Sequence, residues 1–466
     1  MSRRIEHWIG GRSQAPAGGQ WLDDVDPKTG AILAQVARGN AADVAAAVAA
    51  AQAAPVLPVK ERAELLERVA RIIEQRLEEF VLAEAADSGK TPAQARAMDI
   101  PRGLDNLRFF AAAIRTGETG FHAAEGGFSY TLRQPLGVVA TITPWNFPFH
   151  LFTWKLAPAI AAGNAVIAKP SEMTPVTATM TAQVFAEAGA PPGLLNVVHG
   201  LGHEAGEALI SHPGVKAISF TGSTVAGRHI AGVAAPLLKK VTLELGGKNP
   251  TVVFADAVFE AAVTGAARAA FFNTGQVCLC GSRLLVERSL HDRFVQALVT
   301  ETKNWQPPDN LGALVSAAHR DKVERYVKLA AQDGGKIVCG GTRLPPDGGC
   351  CFAPTVITGL DHGARSVQEE IFGPVVSVHS FDTEDQALAL ANGVEYGLAA
   401  SVWTRDLSRA HRMAERIQAG TVWINCWNRR DYRAPFGGTK ASGTGREGGR
   451  YSLEFFSQDR NVCVAL

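Results

Sequence analysis

From about residue 134 onward, short β-branched or apolar runs alternate with helical segments, and this alternation constrains the fold most strongly. The first series is predicted as strands at 137–142, 165–168, 195–198 and 217–220, with helices over 174–188 and 203–211. The second series is predicted as strands near 251–254, 283–287, 336–338, 374–381 and 421–425, with helices near 257–272, 289–302, 317–333 and 407–418. Strands that alternate with helices in this way predict an α/β fold with two doubly wound parallel-sheet domains.

The region before this alternation is predicted to be largely helical. Residues 40–54 are rich in alanine, and Asn40 and Asp43 are placed to cap a helix there. Residues 60–86 carry apolar side chains at helical spacing, with charged residues on the opposite face and Gly89 just beyond. This pattern predicts one amphipathic helix that stops at the glycine.

Composition and charge exclude several classes of protein. The 46 Lys and Arg residues balance the 45 Asp and Glu residues, so no basic field for nucleic acid or an anionic membrane is indicated. The N-terminus lacks the apolar core of a signal peptide, and the apolar stretch 137–168 is interrupted by prolines and Lys155. Seven irregularly spaced cysteines do not form a disulfide framework. We therefore expect a cytoplasmic protein without a metal site.

Cys278 is the first residue that could act chemically. It lies in Phe271-Phe-Asn-Thr-Gly-Gln-Val-Cys278, where an apolar helix gives way to a loop. A loop thiol on a rigid scaffold can be held partly exposed and near backbone N–H groups, which favours the thiolate and a role as nucleophile. The alternative is a buried cysteine that packs as a small hydrophobic side chain.

Glu244 stands at the end of an alternating strand that runs into the turn Gly246-Gly247. Glycines let the backbone approach a ligand closely. Leu243 and Leu245 flank the carboxylate, so burial is expected to raise its pKa towards the range of a general base. The alternative is a surface glutamate on an edge strand.

Asn146 lies between two prolines in Ile142-Thr-Pro144-Trp145-Asn146-Phe-Pro148. The prolines stiffen the loop, so the direction of the Asn146 amide can be fixed. A fixed N–H donor is what a developing oxyanion needs. The alternative is an asparagine in an ordinary turn.

Two further segments have the residue types that bind a dinucleotide. Lys169-Pro-Ser-Glu172 brings a cation and a carboxylate to the end of a strand, where the carboxylate can accept hydrogen bonds from a ribose diol. Gly222-Ser223 follows another strand and precedes a helix, whose N-terminus suits a phosphate. Neither segment is the six-residue glycine fingerprint of dinucleotide sites, so each is a weak signal alone.

Taken together, these segments resemble the aldehyde dehydrogenase superfamily over essentially the whole chain. The Pro-Trp-Asn loop is followed in order by Lys-Pro-Ser-Glu, Phe-Thr-Gly-Ser, Glu-Leu-Gly-Gly-Lys, Gly-Gln-x-Cys, Glu-Glu-Ile-Phe-Gly-Pro and Pro-Phe-Gly-Gly. Each motif is a modest signal, but seven in one order make coincidence negligible. The resemblance therefore favours the catalytic interpretation of Cys278, Glu244 and Asn146.

The resemblance implies a role for each of these residues. Cys278 attacks the aldehyde carbon and forms a thioester, Asn146 with the Cys278 backbone N–H holds the oxyanion, and Glu244 activates the hydrolytic water. A carboxylate at Glu172 would repel a 2′-phosphate, so NAD is expected as the cofactor rather than NADP. The cofactor contacts that the resemblance implies are Ile142, Pro144, Trp145, Lys169, Glu172, Gly222, Ser223, Gly246, Glu370 and Phe372.

A closer resemblance is to the 2-aminomuconate and 2-hydroxymuconate semialdehyde dehydrogenases. It lies in Met98-Asp-Ile-Pro-Arg102 and in Ile424-Asn-Cys-Trp-Asn-Arg-Arg-Asp-Tyr-Arg433-Ala-Pro-Phe-Gly-Gly. Those enzymes oxidise acidic, unsaturated semialdehydes, and two arginines meet the substrate carboxylate. By position these arginines match Arg102 and Arg433. The alternative is structural, with Arg433 paired to Asp431 and Arg102 to a helix end.

The expected organisation follows from the resemblance and from the strand pattern. Alternation at 128–133, with no helix beside it, and the final run 461–466 predict a small separate β element. An NAD-binding domain is expected over 1–115 and 135–243, a catalytic domain over 244–445, and an oligomerisation element over 116–134 and 446–466.

The function expected from the sequence is NAD-dependent oxidation of an acidic semialdehyde by a homodimer or homotetramer. Two alternatives are left open. One is the same chemistry on a neutral aldehyde, with the two arginines merely structural. The other is a non-catalytic structural or binding protein that keeps the fold.

Overall fold

A computed structural model describes residues 3–307, 309–345 and 349–466. Its strands are β1 (Arg3–Ile5), β2 (His7–Ile9), β3 (Arg12–Gln14), β4 (Trp21–Val25), β5 (Ile32–Ala37), β6 (Phe121–Ala124), β7 (Gly127–Pro135), β8 (Val138–Ile142), β9 (Ala165–Lys169), β10 (Leu195–Val197), β11 (Ala217–Thr221), β12 (Lys240–Glu244), β13 (Pro250–Val253), β14 (Arg283–Glu287), β15 (Lys336–Cys339), β16 (Thr355–Thr358), β17 (Val375–Phe381), β18 (Tyr396–Gly397), β19 (Ala399–Trp403), β20 (Thr421–Ile424), β21 (Thr439–Lys440), β22 (Gly443–Thr444) and β23 (Ser457–Ala465).

The α-helices follow the same chain order. They are α1 (Ala41–Ala53), α2 (Val59–Gln75), α3 (Leu77–Ser88), α4 (Pro92–Gln94), α5 (Ile100–Ala113), α6 (Pro148–Ala161), α7 (Val176–Glu187), α8 (Glu207–Ser211), α9 (Thr224–Ala234), α10 (Phe259–Phe271), α11 (His291–Glu301), α12 (Ala317–Gln332), α13 (Arg365–Gln368), α14 (Glu384–Asn392), α15 (Leu407–Arg416) and α16 (Gly449–Phe455). Within the described ranges, none of them combines the length and the apolar character that a membrane span requires.

Two large sheets organise the chain. The first has the strand order β22-β12-β11-β8-β9-β10-β2-β3, and the second has the order β15-β16-β17-β14-β13-β19-β20. The strands from β12 to β10 in the first sheet are parallel, and so are those from β16 to β20 in the second. The α/β class with two parallel sheets, predicted from the alternation of strands and helices, is therefore confirmed.

The carboxyl ends of four strands in the first sheet lie side by side. Ile142 is opposite both Lys169 and Phe220, and Thr221 is opposite Glu244. In doubly wound sheets, ligands bind just outside the carboxyl ends of the strands. The register therefore brings residues that are a hundred positions apart in sequence to one edge.

The N-terminal region differs from the sequence-based expectation. One helix was predicted over 60–86, but the chain breaks at Arg76 (φ −106°, ψ 25°) into α2 and α3. Helices α2 and α3 both contact α5, α6 and α7, but α2 packs mainly on α5, whereas α3 packs most extensively on α7. Two smaller predictions are confirmed, since Asn40 and Asp43 form a capping box on α1 and Gly89 ends α3 at φ 75°.

A separate three-stranded sheet joins the C-terminus to the middle of the chain. Strand β23 pairs antiparallel with β7, with Asn461 opposite Thr131, and β6 covers the other side of β7. This confirms the predicted pairing of 128–133 with 461–466, although β23 begins earlier, at Ser457. Its role in oligomerisation and the domain boundaries stay predictions. Residues 1 and 2 of the predicted range 1–115 lie outside the described residues.

Helices α5 and α6 approach each other closely at Gly103. A Cβ atom at this position would overlap the ring of Phe149 on α6, which is fully buried. Gly103 follows Arg102, and Phe149 precedes His150, so the close approach brings these two polar side chains to the same region of the interior. The glycine is therefore required by packing and not by a turn.

We predict that Gly103→Ala lowers the free energy of unfolding by about 1–3 kcal/mol, because the buried ring cannot yield without strain. The matched control is Gly232→Ala on α9, where a Cβ atom would meet nothing within 4 Å. That substitution should stabilise the protein by up to about 1 kcal/mol through helix propensity alone. Urea unfolding measures both, and equal behaviour of the two variants would contradict the packing argument.

Candidate active site

A cleft of about 660 Å³ opens at the carboxyl edge of the first sheet. It is lined by Pro144, Trp145, Asn146, Thr221, Gly222, Ser223, Leu245, Gly246, Cys278, His319, Lys322, Glu370 and Phe372. Most of the residues that the sequence predicted as cofactor or catalytic groups therefore meet in one place. The remaining ones lie beside the cleft or away from it.

The loop that carries Cys278 has an unusual backbone. Asn273, Thr274 and Gly275 all have positive φ (51°, 56° and 69°) after the end of α10. A Cβ atom at Gly275 would overlap the carbonyl group of Gly373, so only glycine fits there. Strain of this kind persists only where the surroundings hold the loop firmly, and it is typical of functional sites.

Asn249 provides part of that support. Its Nδ2 donates to the carbonyl oxygens of Cys278 at 2.7 Å and Cys280 at 2.9 Å, while its Oδ1 accepts from the Ala399 N–H at 2.9 Å. The side chain is buried, so these bonds compete little with water. One amide therefore ties the Cys278 loop to the second sheet.

The environment of the Cys278 thiol differs from the sequence-based expectation. The sequence predicted a loop thiol poised as thiolate, but burial raises the pKa of Cys278 to about 12, and the charge of Arg430 only partly opposes this. The resting group is therefore the neutral thiol. Its proton must leave when the sulfur attacks an electrophile, so a base has to accept it at that moment.

Hydrogen bonds fix Asn146, which follows β8, against the loop that carries Cys278. Its Nδ2 donates to the carbonyl oxygen of Gln276 at 3.0 Å, and Asn273 Nδ2 donates to the Asn146 carbonyl oxygen at 3.1 Å. An amide nitrogen carries two hydrogens, so one remains for an oxygen that approaches Cys278. This arrangement has the direction and rigidity that oxyanion stabilisation needs.

Glu244 ends β12 with its carboxyl group buried, and neither oxygen has a hydrogen-bond partner among the described residues. Burial and the nearby charge of Glu447 raise its pKa well above the ordinary range, against the influence of Lys155. Lys155 Nζ contacts Glu447 Oε1 at 2.6 Å in the interior. The raised pKa of Glu244 supports the expected shift towards the range of a general base.

The other side of the cleft is built around Glu370 and Phe372. Glu370 Oε1 accepts from the Gly247 N–H at 2.9 Å, and a Cβ atom at Gly246 would overlap the Glu370 carboxylate. Phe372 has φ 62° and stands edge-on to Trp145, with ring centroids 5.3 Å apart. The two glycines thus allow a carboxylate and an aromatic ring to face one ligand.

Three predicted cofactor residues lie beside this cleft and do not line it. Lys169 and Ile142 end adjacent strands, and Lys169 Nζ lies 3.8 Å from Glu172 Oε2. Burial lowers the pKa of Lys169, while the Glu172 carboxylate keeps 32% of its side-chain surface exposed. A half-exposed carboxylate at a strand end is placed to accept hydrogen bonds from a diol.

The two predicted substrate arginines have different positions. Arg102 is half-buried, and burial together with the charge of Arg430 lowers its pKa to about 10. Arg433 is a surface residue, 80% exposed, that forms a two-pronged ion pair with Asp431. The structure thus does not support Arg433 as a site residue. The contacts of Arg433 are those of the alternative in which it pairs with Asp431.

Arg430, in the same loop as Arg433, lies near Cys278 and Glu244. Burial lowers its pKa, and the groups whose charges oppose this shift include Cys278 and Glu244. Its Nε is buried without a hydrogen-bond partner, and its guanidinium carbon lies 4.1 Å from the centroid of the Phe436 ring. The sequence had no signal to separate Arg430 from Arg433, because both stand in the same irregular loop.

Other site residues were also missed at the level of sequence. His319 and Lys322 line the cleft from α12, and His319 Nε2 donates to the Phe372 carbonyl oxygen at 2.7 Å. Residues three apart on a helix lie on the same face, so this spacing was a signal in the sequence that His319 and Lys322 could face one site. Lys155 and Glu447 are nearly 300 residues apart in the chain, so only the fold could pair them.

Comparisons with known proteins agree with this geometry. A family model described as "Aldehyde dehydrogenase family" matches residues 14–462. The chain is 46% identical to a 2-aminomuconic semialdehyde dehydrogenase of Danio rerio, over 99% of this chain and 98% of the relative. It is 45% identical to a 2-hydroxymuconic semialdehyde dehydrogenase of Pseudomonas sp. (strain CF600), over 100% of both chains.

The fold of a solved structure also matches that of this chain. The crystal structure of an indole-3-acetaldehyde dehydrogenase complexed with NAD+ superposes with a TM-score of 0.98 at 40% identity. The match covers 100% of this chain and 97% of that chain. The similarity extends through both large sheets and the small one.

We predict that Arg430→Met slows alkylation of Cys278 by iodoacetamide about threefold to tenfold at a fixed, mildly alkaline pH. The guanidinium favours the thiolate, so its removal raises the pKa of Cys278 further and lowers the thiolate fraction. Mass spectrometry of the Cys278 peptide gives the rate. Exposed Cys463 serves as the internal control. An unchanged or faster rate at Cys278 would show that Arg430 does not act on the thiol.

Proposed function

This chain belongs to the aldehyde dehydrogenase family, and on that premise we propose that it oxidises an acidic semialdehyde of the 2-hydroxymuconate or 2-aminomuconate type to the carboxylic acid. The enzyme is an NAD-dependent aldehyde dehydrogenase. The observation that carries the choice of substrate is the pair of neighbouring arginines Arg102 and Arg430, of which Arg430 acts on the pKa of Cys278.

The two guanidinium groups repel each other, which is part of the reason that the pKa of Arg102 is lowered. Neither forms an ion pair with a carboxylate in the described ranges, since the nearby Asp99 is already paired with Lys90. Two half-buried cations without a counter-ion are costly, and a bound carboxylate relieves that cost with charge-assisted hydrogen bonds. A substrate with a carboxylate at the end opposite its aldehyde group supplies the missing charge.

The residues present fit NAD. Lys169 and Glu172 stand at the strand end where an adenosine ribose is expected, and the absence of a Cβ at Gly246 lets the Glu370 carboxylate lie against the turn at the edge of the cleft. Glu172 disfavours a 2′-phosphate through charge repulsion, which supports NAD over NADP. When bound, NAD supplies the oxidant that accepts a hydride from the substrate carbon.

The protein residues account for the remaining steps. Cys278 Sγ bonds to the aldehyde carbon as its thiol proton passes to solvent water, and Asn146 Nδ2 with the Cys278 backbone N–H stabilises the oxygen that gains the negative charge. After oxidation the carbon is held as a thioester. Glu244, once deprotonated, takes a proton from water, whose oxygen attacks the thioester carbon while Cys278 Sγ leaves.

The assembly and location are part of the same proposal. The small sheet exposes apolar side chains at Phe121 and Leu132, and the terminal Leu466 is 90% exposed. Large exposed apolar side chains on a sheet edge favour pairing with a second copy, so a homodimer or homotetramer is proposed. All seven cysteines are free thiols, which supports a reducing compartment such as the cytoplasm.

We predict that Glu244→Ala accumulates the acyl thioester after one turnover, whereas Cys278→Ala forms no adduct. In the wild type, the raised pKa of Glu244 means that its basic form grows as pH rises, so deacylation should accelerate with pH. Glu244→Ala should lose that dependence. Intact-protein mass spectrometry and single-turnover kinetics measure these effects. If Glu244→Ala shows neither an NADH burst nor an acyl adduct, Glu244 is not the residue that activates the hydrolytic water.

We predict that Arg430→Ala lowers kcat/KM for a muconate-type semialdehyde about tenfold to a hundredfold, because a charge-assisted pair contributes roughly 1.5–3 kcal/mol. Arg102→Ala should act alike, and the double variant should be less than additive if both grip one carboxylate. With a neutral aldehyde, Arg102→Ala should be nearly unaffected, and Arg430→Ala should lose only the roughly threefold to tenfold that follows from the raised pKa of Cys278.

The matched control is Arg433→Ala in the same loop, which should stay near wild-type on both substrates because its guanidinium is occupied by Asp431 at the surface. If Arg433→Ala lowers kcat/KM for the acidic substrate but not for the neutral one, Arg433 contacts the substrate carboxylate, as the sequence predicted. Equal losses for acidic and neutral substrates in Arg102→Ala, whose guanidinium does not act on the pKa of Cys278, would favour a neutral-aldehyde dehydrogenase.

A further inference from the structure

His150 is a buried histidine on α6 to which the reaction above assigns no role. It is 3% exposed and lies between the rings of Phe147 and Trp154, with centroids 6.3 and 6.5 Å away. The positive charges that act on it come from Arg430, Arg102 and Lys90. It therefore stands at the end of the site where the arginines meet.

The hydrogen bonds of Asn106 determine which ring nitrogen carries the proton. Asn106 Nδ2 donates to the His150 carbonyl oxygen and to Thr153 Oγ1, both at 3.0 Å, so the atom that faces the ring is the amide nitrogen. The same nitrogen lies 3.3 Å from His150 Nδ1. Both hydrogens of that nitrogen are already donated, and an amide nitrogen does not accept a hydrogen bond, so an Nδ1–H group would find no acceptor there and Nδ1 carries the lone pair. Burial and the arginine charges keep the pKa well below 6.5, so the one ring proton is on Nε2.

That Nε2–H group is available to a ligand. It donates to no atom in the part of the chain that the structure describes, and it is not among the enclosed polar atoms that lack a partner. It therefore reaches accessible space. The packing of α5 on α6 at Gly103 places this donor near Arg102, and the second arginine approaches from the loop that follows β20.

We propose that His150 determines specificity by donating its Nε2–H to an oxygen on the carbon next to the substrate carboxylate. The inference rests on the proposed function, in which Arg102 and Arg430 hold that carboxylate. A 2-hydroxy or 2-oxo oxygen accepts a hydrogen bond. A 2-amino nitrogen conjugated with the diene has a delocalised lone pair and presents N–H groups, so two donors would face each other. The site therefore selects the 2-oxygen substrate over its 2-amino analogue.

The test compares His150→Leu, which has no donor, with His150→Gln, which keeps an N–H donor of similar reach. Three substrates are used: 2-hydroxymuconate semialdehyde, the 2-amino analogue and an acidic semialdehyde without a substituent at that carbon. His150→Leu should lower kcat/KM for the 2-hydroxy substrate about threefold to tenfold, the size of one neutral hydrogen bond. The loss should be smaller for the other two, and His150→Gln should restore most of it.

An unchanged ratio between the 2-hydroxy and 2-amino substrates in His150→Leu would overturn the inference. An equal loss for all three acids would also overturn it, because His150 would then bind the carboxylate. Nitrogen-15 NMR of histidine-labelled enzyme, assigned against His150→Gln, gives a readout independent of activity: a proton on Nδ1 would contradict the argument. If wild-type enzyme instead fails to prefer acidic over neutral aldehydes, the proposed function itself is wrong.

Discussion

The site depends on the hydrogen bonds of the short connection between the two large sheets, Leu245 to Asn249. Glu244 ends a strand of the first sheet, and β13 of the second begins at Pro250. In between, the Gly247 N–H donates to Glu370, and Asn249 donates to the carbonyl oxygens of Cys278 and Cys280. Because one connection of five residues binds the groups on both sides of the cleft, a small change in it would displace both.

Burial of ionisable groups is the second constraint. Burial raises the pKa values of both Cys278 and Glu244. Burying an isolated charge is costly, so burial favours the neutral form of each group, and each becomes reactive when its proton moves. Elsewhere in the interior, Lys155 is paired with Glu447, whereas Arg430 has no carboxylate partner among the described residues.

Particular elements show where prediction from sequence worked and where it did not. Strand and helix periodicity predicted both parallel sheets, because burial imposes a regular pattern on each element. It failed at Arg76, where two helices with different main packing partners read as one. It also missed the strands before residue 40. These are short, and one of them joins the first sheet through β10, a pairing between distant segments.

The sequence by itself determined the fold class and the family, because local patterns and ordered motifs encode these, and it predicted the reacting side chains. Only the tertiary structure separated Arg430, whose charge acts on Cys278, from Arg433, which is paired with Asp431 at the surface. Asn425 and Asn428 adopt left-handed conformations (φ 53° and 55°), and in such an irregular loop spacing does not define a face. Arg430 therefore lies at the site while Arg433 lies at the surface. The thiol pKa and the His150 tautomer were likewise decided by contacts between segments that only the fold brings together.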